Sequence, residues 1–126
     1  TRTCMHVVTL PEEMPVNEAR ELEAASRNKL GIRLSTTFIN QSIDELPQTA
    51  LQALNESEQG ALKEAGRTLS IREGKRRAGE EHLSRLPAHM MKDAVRLPRI
   101  VGPGLGKAQV YGLADIIDSH LSGGES

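Results

Sequence analysis

A chain of 126 residues suits one compact domain, and its 16 Lys and Arg residues nearly balance its 17 Asp and Glu residues. This balance argues against a general electrostatic nucleic-acid binder. The single cysteine, Cys4, excludes an internal disulfide and a cysteine-based zinc site. No apolar run approaches the roughly 20 residues that a bilayer crossing needs, and no signal peptide is evident, so we expect a cytoplasmic chain without direct membrane insertion. Because the chain lacks an initiator Met and enters a strand almost at once, we also expect a fragment or a processed piece.

The first part of the chain predicts one strand–helix–strand unit. Residues 5–10 form a short apolar strand, and residues 34–39 form a second strand that ends on Asn40-Gln41. Parallel strands joined by a helix end at the same edge of the sheet, and ligands bind at that edge in open α/β sheets. We therefore expect Glu12, which follows the first strand, to lie close to Asn40 at a functional site.

The helix between these strands has clear start and stop signals. Asn17 is the expected N-cap, and Gly31 suits the left-handed residue just past the helix end. Apolar residues at helical spacing predict the face that packs on the sheet, namely Val16, Ala19, Leu22 and Ala25 or Ser26.

Residues 42–90 predict a helical insertion. A helical stretch runs from about Gln48 to Thr68, with a break expected in its middle because Gly60 and Gly66 weaken it. A second helix is expected from a cap at Ser70 to about residue 86, where Pro87 stops it.

The last part of the chain predicts a strand, a loop and a helix. The strand covers residues 94–97 and ends at Pro98, and a Gly/Pro-rich loop follows over residues 99–106. The helix runs from about Lys107 to Leu121, and residues 122–126 form a frayed tail. We therefore predict one α/β segment over residues 1–126, with about three mostly parallel strands and three to four helices. Apolar residues at helical spacing form one stripe along this last helix, namely Val110, Leu113, Ile117 and Leu121.

Asn40 is the strongest candidate for chemistry. A carboxamide at a strand end can accept a hydrogen bond from the exocyclic amine of adenine while donating to the neighbouring ring nitrogen. The alternative is an Asn that ends its strand by bonding to local backbone, which is the commoner role. Glu12 likewise can hold a ribose hydroxyl or a partner's lysine, or can simply precede a helix in solvent.

Other candidate motifs carry weaker signals. Residues 102–107 (Gly-Pro-Gly-Leu-Gly-Lys) depart from a Walker A loop, since Val101 and Ala108 stand where Gly and Ser or Thr are needed, so a tight turn before a helix is the favoured interpretation. The basic run 72–77 is interleaved with glutamates and is typical of a solvated, self-paired helix face. The histidines show no ligand spacing, and His6 is expected in or near the core. We expect no metal site and no catalytic residue within this chain.

Three pieces, in this order, resemble one family. They are residues 7–18 (Val-Val-Thr-Leu-Pro-Glu-Glu-Met-Pro-Val-Asn-Glu), 38–41 (Phe-Ile-Asn-Gln) and 97–102 (Leu-Pro-Arg-Ile-Val-Gly). The combination resembles the C-terminal part of the arsenite-pump-driving ATPases and of their relatives that target tail-anchored membrane proteins. The resemblance spans Thr3 to about Leu121, and it implies a three-layer, P-loop-NTPase-like fold.

The resemblance also implies a function, which is binding of ATP or ADP at the adenosine end. Asn40 matches the family residue that reads the adenine, and Glu12 matches the acidic residue beside the nucleotide at the dimer interface. The family loop that wraps the base corresponds in this chain to Pro98, Arg99, Ile100, Val101 and Gly102. By this resemblance the complete protein is a homodimer that acts on a client protein or an anion.

Departures from the family limit what the chain can do. The Walker A loop and the magnesium ligands belong to the N-terminal P-loop part, which is absent here, so we expect the isolated chain to bind nucleotide weakly or not at all and to show no hydrolysis. No Cys-x-x-Cys pair lies between Asn40 and Lys75, which suggests a bacterial, zinc-free branch. The alternative function is a stand-alone, non-enzymatic interaction module that presents residues 46–86 to a protein partner.

Overall fold

A parallel sheet with helices on both faces organises the molecule. The structure, a computed structural model, describes residues 3–102 and 104–123. The three strands lie in the order β1-β2-β3 and all pair in parallel, so the predicted α/β class is confirmed. In chain order the elements are β1 (Cys4–Thr9), α1 (Glu13–Ala25), a π-helical turn (Ser26–Leu30), β2 (Arg33–Ser42), α2 (Gln48–Asn55), α3 (Gly60–Leu83), α4 (Ala88–Met91), β3 (Val95–Pro98) and α5 (Lys107–Gly123).

The described strands agree closely with the predicted ones. β1 begins one residue earlier than expected, β2 extends past Gln41 to Ser42, and β3 includes Pro98. α5 continues through Gly123, beyond the predicted end near Leu121, while residues 124–126 of the predicted tail lie outside the described ranges. Five α-helices occur in those ranges, instead of three to four, because the short α4 follows Pro87.

The start of α1 differs from the prediction. The helix begins at Glu13, so Asn17 lies inside it and the N-cap prediction was wrong. Pro15 is tolerated because the first amide groups of a helix have no intrahelical partner. The amide of Val16 donates to the carbonyl of Glu12 at 3.1 Å, which closes the first turn. At the other end, Gly31 adopts the expected left-handed conformation, with φ of 66°.

The buried face of α1 also differs from the prediction. Val16 and Ala19 are buried as expected, but Leu22 is 54% exposed and Glu23 only 2% exposed. Burial of a carboxylate is costly unless it is paired. The Oε1 atom of Glu23 lies 3.1 Å from Nε of Arg27 and 3.0 Å from Nε2 of His89. These contacts account for the burial of Glu23 in place of Leu22.

The helical insertion forms an antiparallel pair of helices. The interruption falls at residues 56–59, and α3 then runs unbroken through Ser70, which was wrongly predicted to cap a separate helix. Ser70 instead accepts a hydrogen bond from Nδ2 of Asn55 at 3.0 Å. A Cβ atom at Gly66 would come 2.7 Å from Oδ1 of Asn55 and 3.0 Å from the backbone of Leu54. Glycine at this position therefore lets α2 approach α3.

The two faces of the sheet are covered unequally. On one face, α1, the end of α3 and α4 enclose the main core, which comprises Val7, Val16, Ala19, Ile39, Leu83, Leu86 and Met90. On the other face, α5 packs through Leu113 and Ile117 onto a smaller cluster of Phe38, Val95 and Leu97.

The second face leaves β1 uncovered within the described residues. Val8 is 64% exposed, and His6 is exposed rather than near the core as predicted, because α5 lies over β2 and β3. The ends of the predicted α5 stripe, Val110 and Leu121, are likewise exposed. None of the helices in the described ranges combines the length and the apolar character that crossing a membrane demands.

Candidate functional site

The carboxyl ends of the three parallel strands meet at one edge of the sheet. Thr9 pairs with Ile39 and Ser42 pairs with Pro98, so the segments that follow β1, β2 and β3 leave the sheet side by side. The amide of Arg99 donates to the carbonyl of Ser42 at 2.9 Å and fixes the start of the last loop against β2. All the residues predicted as a nucleotide site lie at the ends of these strands or on the segments that follow them.

Asn40 has a local hydrogen bond and a free amide group. Its Oδ1 atom accepts from the backbone amide of Gln41 at 2.9 Å, which is the strand-ending bond of the commoner interpretation. No acceptor within the described part of the chain takes a hydrogen bond from its Nδ2 group. A carbonyl oxygen has a second lone pair, so this side chain can still both accept and donate.

A cavity of about 250 Å³, which we call the Asn40 cavity, brings most of the predicted site together. Four of the five predicted loop residues line it beside Asn40, and Leu105 and Leu113 add apolar walls. Val101 does not, since its side chain is 89% exposed and contributes to a neighbouring cavity. The complete lining is Asn40, Gln41, Pro98, Arg99, Ile100, Gly102, Gly104, Leu105 and Leu113.

Glu12 lies in a second cavity rather than beside Asn40. This cavity of about 380 Å³, the Glu12 cavity, is enclosed by the turn after β1, by one face of α3 and by Arg99. Gln41 and Arg99 line both cavities, so the two share a wall instead of forming one pocket. The lining of the Glu12 cavity is Pro11, Glu12, Glu13, Gln41, Ile43, Lys75, Ala78, Gly79, His82 and Arg99.

Gln41 has an unusual backbone conformation at this shared wall. Its φ is 54°, the only positive value among the non-glycine residues that the structure describes. The left-handed region is unfavourable for a side chain with a Cβ atom, and such strain concentrates at functional sites. The conformation falls inside β2, directly after Asn40, where the register with β3 is irregular between Ile39 and Ser42.

A buried ion pair on α3 holds the segment that follows β2. Glu73 is buried, and both its oxygens accept from Nε of Arg76 at 3.0 Å, while Nη2 of Arg76 lies 2.6 Å from Oε1. These hydrogen bonds lower the pKa of Glu73 against the opposing effect of burial, with a further contribution from the backbone amide of Leu46. Arg72 also donates to the carbonyl of Asp44 at 3.1 Å. The end of β2 is thereby anchored to α3.

Sequence reasoning missed the contribution of α3 to the Glu12 cavity. The basic run was interpreted as a solvated, self-paired face. This holds for Arg77, whereas Arg76 is self-paired but forms a buried ion pair with Glu73. Lys75 instead lines the cavity together with Ala78 and His82. Their spacing of three, four and seven residues places all three on one helix face, and it is the signal that could have identified them.

Comparisons with known proteins add no family to this picture. No protein-family model matches the chain, and no curated protein matches it.

Among the described residues, no group of three or more His, Cys, Asp or Glu side chains is arranged to hold a metal ion.

Proposed function

We propose that this chain is the adenosine-binding, C-terminal portion of an ATPase of the anion-transporting or membrane-protein-targeting type. The observation that carries the proposal is the Asn40 cavity, where a half-buried carboxamide faces the same space as the loop after β3. The adenine ring occupies this cavity, with Nδ2 of Asn40 donating to a ring nitrogen and Oδ1 accepting from the exocyclic amine. Ile100, Leu105 and Leu113 offer apolar surface to the ring.

Hydrolysis belongs to the complete protein in this proposal. ATP supplies the phosphoanhydride bond, and the N-terminal P-loop part supplies the loop and the magnesium ligands that hold its β- and γ-phosphates. The chain described above orients the nucleoside and shows no turnover by itself. The homodimer, the client protein or anion, and the cytoplasmic location remain parts of the same proposal.

The uncovered side of β1 supports the proposal that the P-loop part packs against this strand. Parallel sheets almost always have both faces covered by helices, and an unpaired edge strand offers open backbone groups. β1 is an edge strand whose second face exposes His6 and Val8. Further strands and a helix from the P-loop part would complete the sheet at this position.

The decisive experiment is substitution of Asn40. Asn40→Ala is expected to weaken adenine nucleotides by about 1–3 kcal/mol through loss of the paired hydrogen bonds. Binding is measured by calorimetry with ATP for the complete protein and by NMR titration with adenosine for this chain. Asn28→Ala, an exposed residue of the π-helical turn, is the matched control and retains full affinity. Equal affinities for the Asn40 variant and the wild type would remove Asn40 from the site.

A protein-interaction module is the second candidate function. The α2–α3 pair exposes Leu62 and Ile71, which is the observation that favours a protein partner there. The two functions differ in their response to nucleotide. Recovery of ATP binding when the chain is mixed with a separate P-loop polypeptide supports the ATPase proposal. A stable, monodisperse chain that shows neither this recovery nor a change in melting temperature with ADP supports the interaction module.

A further inference from the structure

The Glu12 cavity contains cations that the proposed adenine site does not use. Lys75 enters from α3, and Arg99 enters from the loop after β3. Neither has a carboxylate within 4.0 Å in the described part of the chain, whereas Arg76, Arg77 and Arg85 each contact a glutamate. Two uncompensated cations therefore line one concave surface.

The acidic side of the cavity is only partly neutralised. Glu13 forms an ion pair with Arg85, in which Nη1 of Arg85 lies 3.3 Å from Oε1 of Glu13. Glu12 has no cation within 4.0 Å among the described residues. The cavity thus presents two cations and one carboxylate, which matches a ligand with an anionic group and neighbouring hydroxyl groups.

The position of the cavity decides which ligand this is. It adjoins the Asn40 cavity through Gln41 and Arg99, so a molecule whose base lies beside Asn40 can extend past this wall into the second space. In a nucleotide the sugar follows the base and the phosphate follows the sugar. The volumes of about 380 and 250 Å³ together fall within the roughly 300–1,000 Å³ of ligand pockets.

We propose that Lys75 and Arg99 bind the first phosphate of an adenine nucleotide, while Glu12 accepts hydrogen bonds from the ribose hydroxyls. This inference rests on the proposed function, and it adds a phosphate contact that this chain makes without a P-loop. Lys75 acts as a point charge, and the guanidinium of Arg99 can donate two parallel hydrogen bonds.

The experiment compares adenosine with adenosine 5′-monophosphate, using NMR titration of this chain at low ionic strength. The monophosphate is expected to bind about tenfold more tightly, from charge-assisted hydrogen bonds to one phosphate group. Lys75→Gln should bring the two affinities within about twofold and leave adenosine unchanged. Lys63→Gln, on the exposed first half of the same helix, is the matched control and keeps the full preference.

The outcomes separate this inference from the proposed function. Equal affinity of the wild type for adenosine and its monophosphate overturns the phosphate site and leaves the adenosine site standing. A preference that keeps its full wild-type value in Lys75→Gln, or that Lys63→Gln reduces equally, also overturns it. Failure of both ligands to perturb the Asn40 cavity, in this chain and in the complete protein, overturns the proposed function itself.

Discussion

Replacement of Gln41 by glycine should stabilise the fold. The left-handed conformation costs an L-residue about 1–2 kcal/mol, and Gln41 has φ of 54°. Glycine removes this cost but loses about 0.5–1 kcal/mol through the greater freedom of its unfolded chain. The side chain is exposed, so its loss contributes little. We expect a net gain of about 0.5–1 kcal/mol in the free energy of unfolding, which raises the melting temperature by roughly 2–4 °C.

Gln41→Ala is the matched control for this measurement. It removes the same side chain and keeps the strained backbone, so its unfolding free energy should stay within about 0.5 kcal/mol of the wild type. Both variants are compared by urea unfolding at neutral pH with a common slope. A glycine variant no more stable than the alanine variant would refute the reasoning, because it would show that the turn after Asn40 is not strained.

Three further changes test helix α3 beside the site. Alanine is favoured over glycine inside a helix by about 1 kcal/mol, so Gly74→Ala, with no atom within 4 Å of its new Cβ, should stabilise by about that amount. Gly66→Ala should be less stable than Gly74→Ala by about 1–3 kcal/mol because of its clash with α2; equal urea midpoints would disprove the close contact. The third change is Glu73→Gln. The pKa of Glu73 is held below 4.5, chiefly by hydrogen bonds from Arg76, so its carboxylate stabilises the fold above pH 4.5 and this stability is lost as the pH falls through the lowered pKa. The variant should lose that part of the acid dependence, and an unchanged stability profile between pH 7 and pH 3 would contradict the pairing.

Local patterns in the sequence predicted most of the sheet. Short apolar runs bounded by Pro and Gly located the three strands to within a few residues, and the placement of Gly31 followed from its lack of a Cβ atom. These features depend on neighbouring residues and on chain direction, which the sequence contains. The loop after β3 was placed beside Asn40 only by the family resemblance, and both line the Asn40 cavity.

Features that depend on distant contacts were not predictable in this way. The burial of Glu23 needs His89 from α4, and no pattern within α1 indicates that partner. Asn55 of α2 packs on Gly66 and donates a hydrogen bond to Ser70, and the local sequence of α3 does not indicate these contacts. Likewise, Glu12 and Asn40 were expected together because both follow parallel strands, but they line cavities separated by Gln41 and Arg99.

The position of the base can be measured directly by isotope-edited NOE spectroscopy on the chain with adenosine. If adenine occupies the Asn40 cavity, its H2 and H8 protons should give cross-peaks to the methyl groups of Ile100, Leu105 and Leu113. Cross-peaks to methyl groups elsewhere in the chain, or adenosine shifts that leave these three residues unperturbed, would contradict the proposed adenine site.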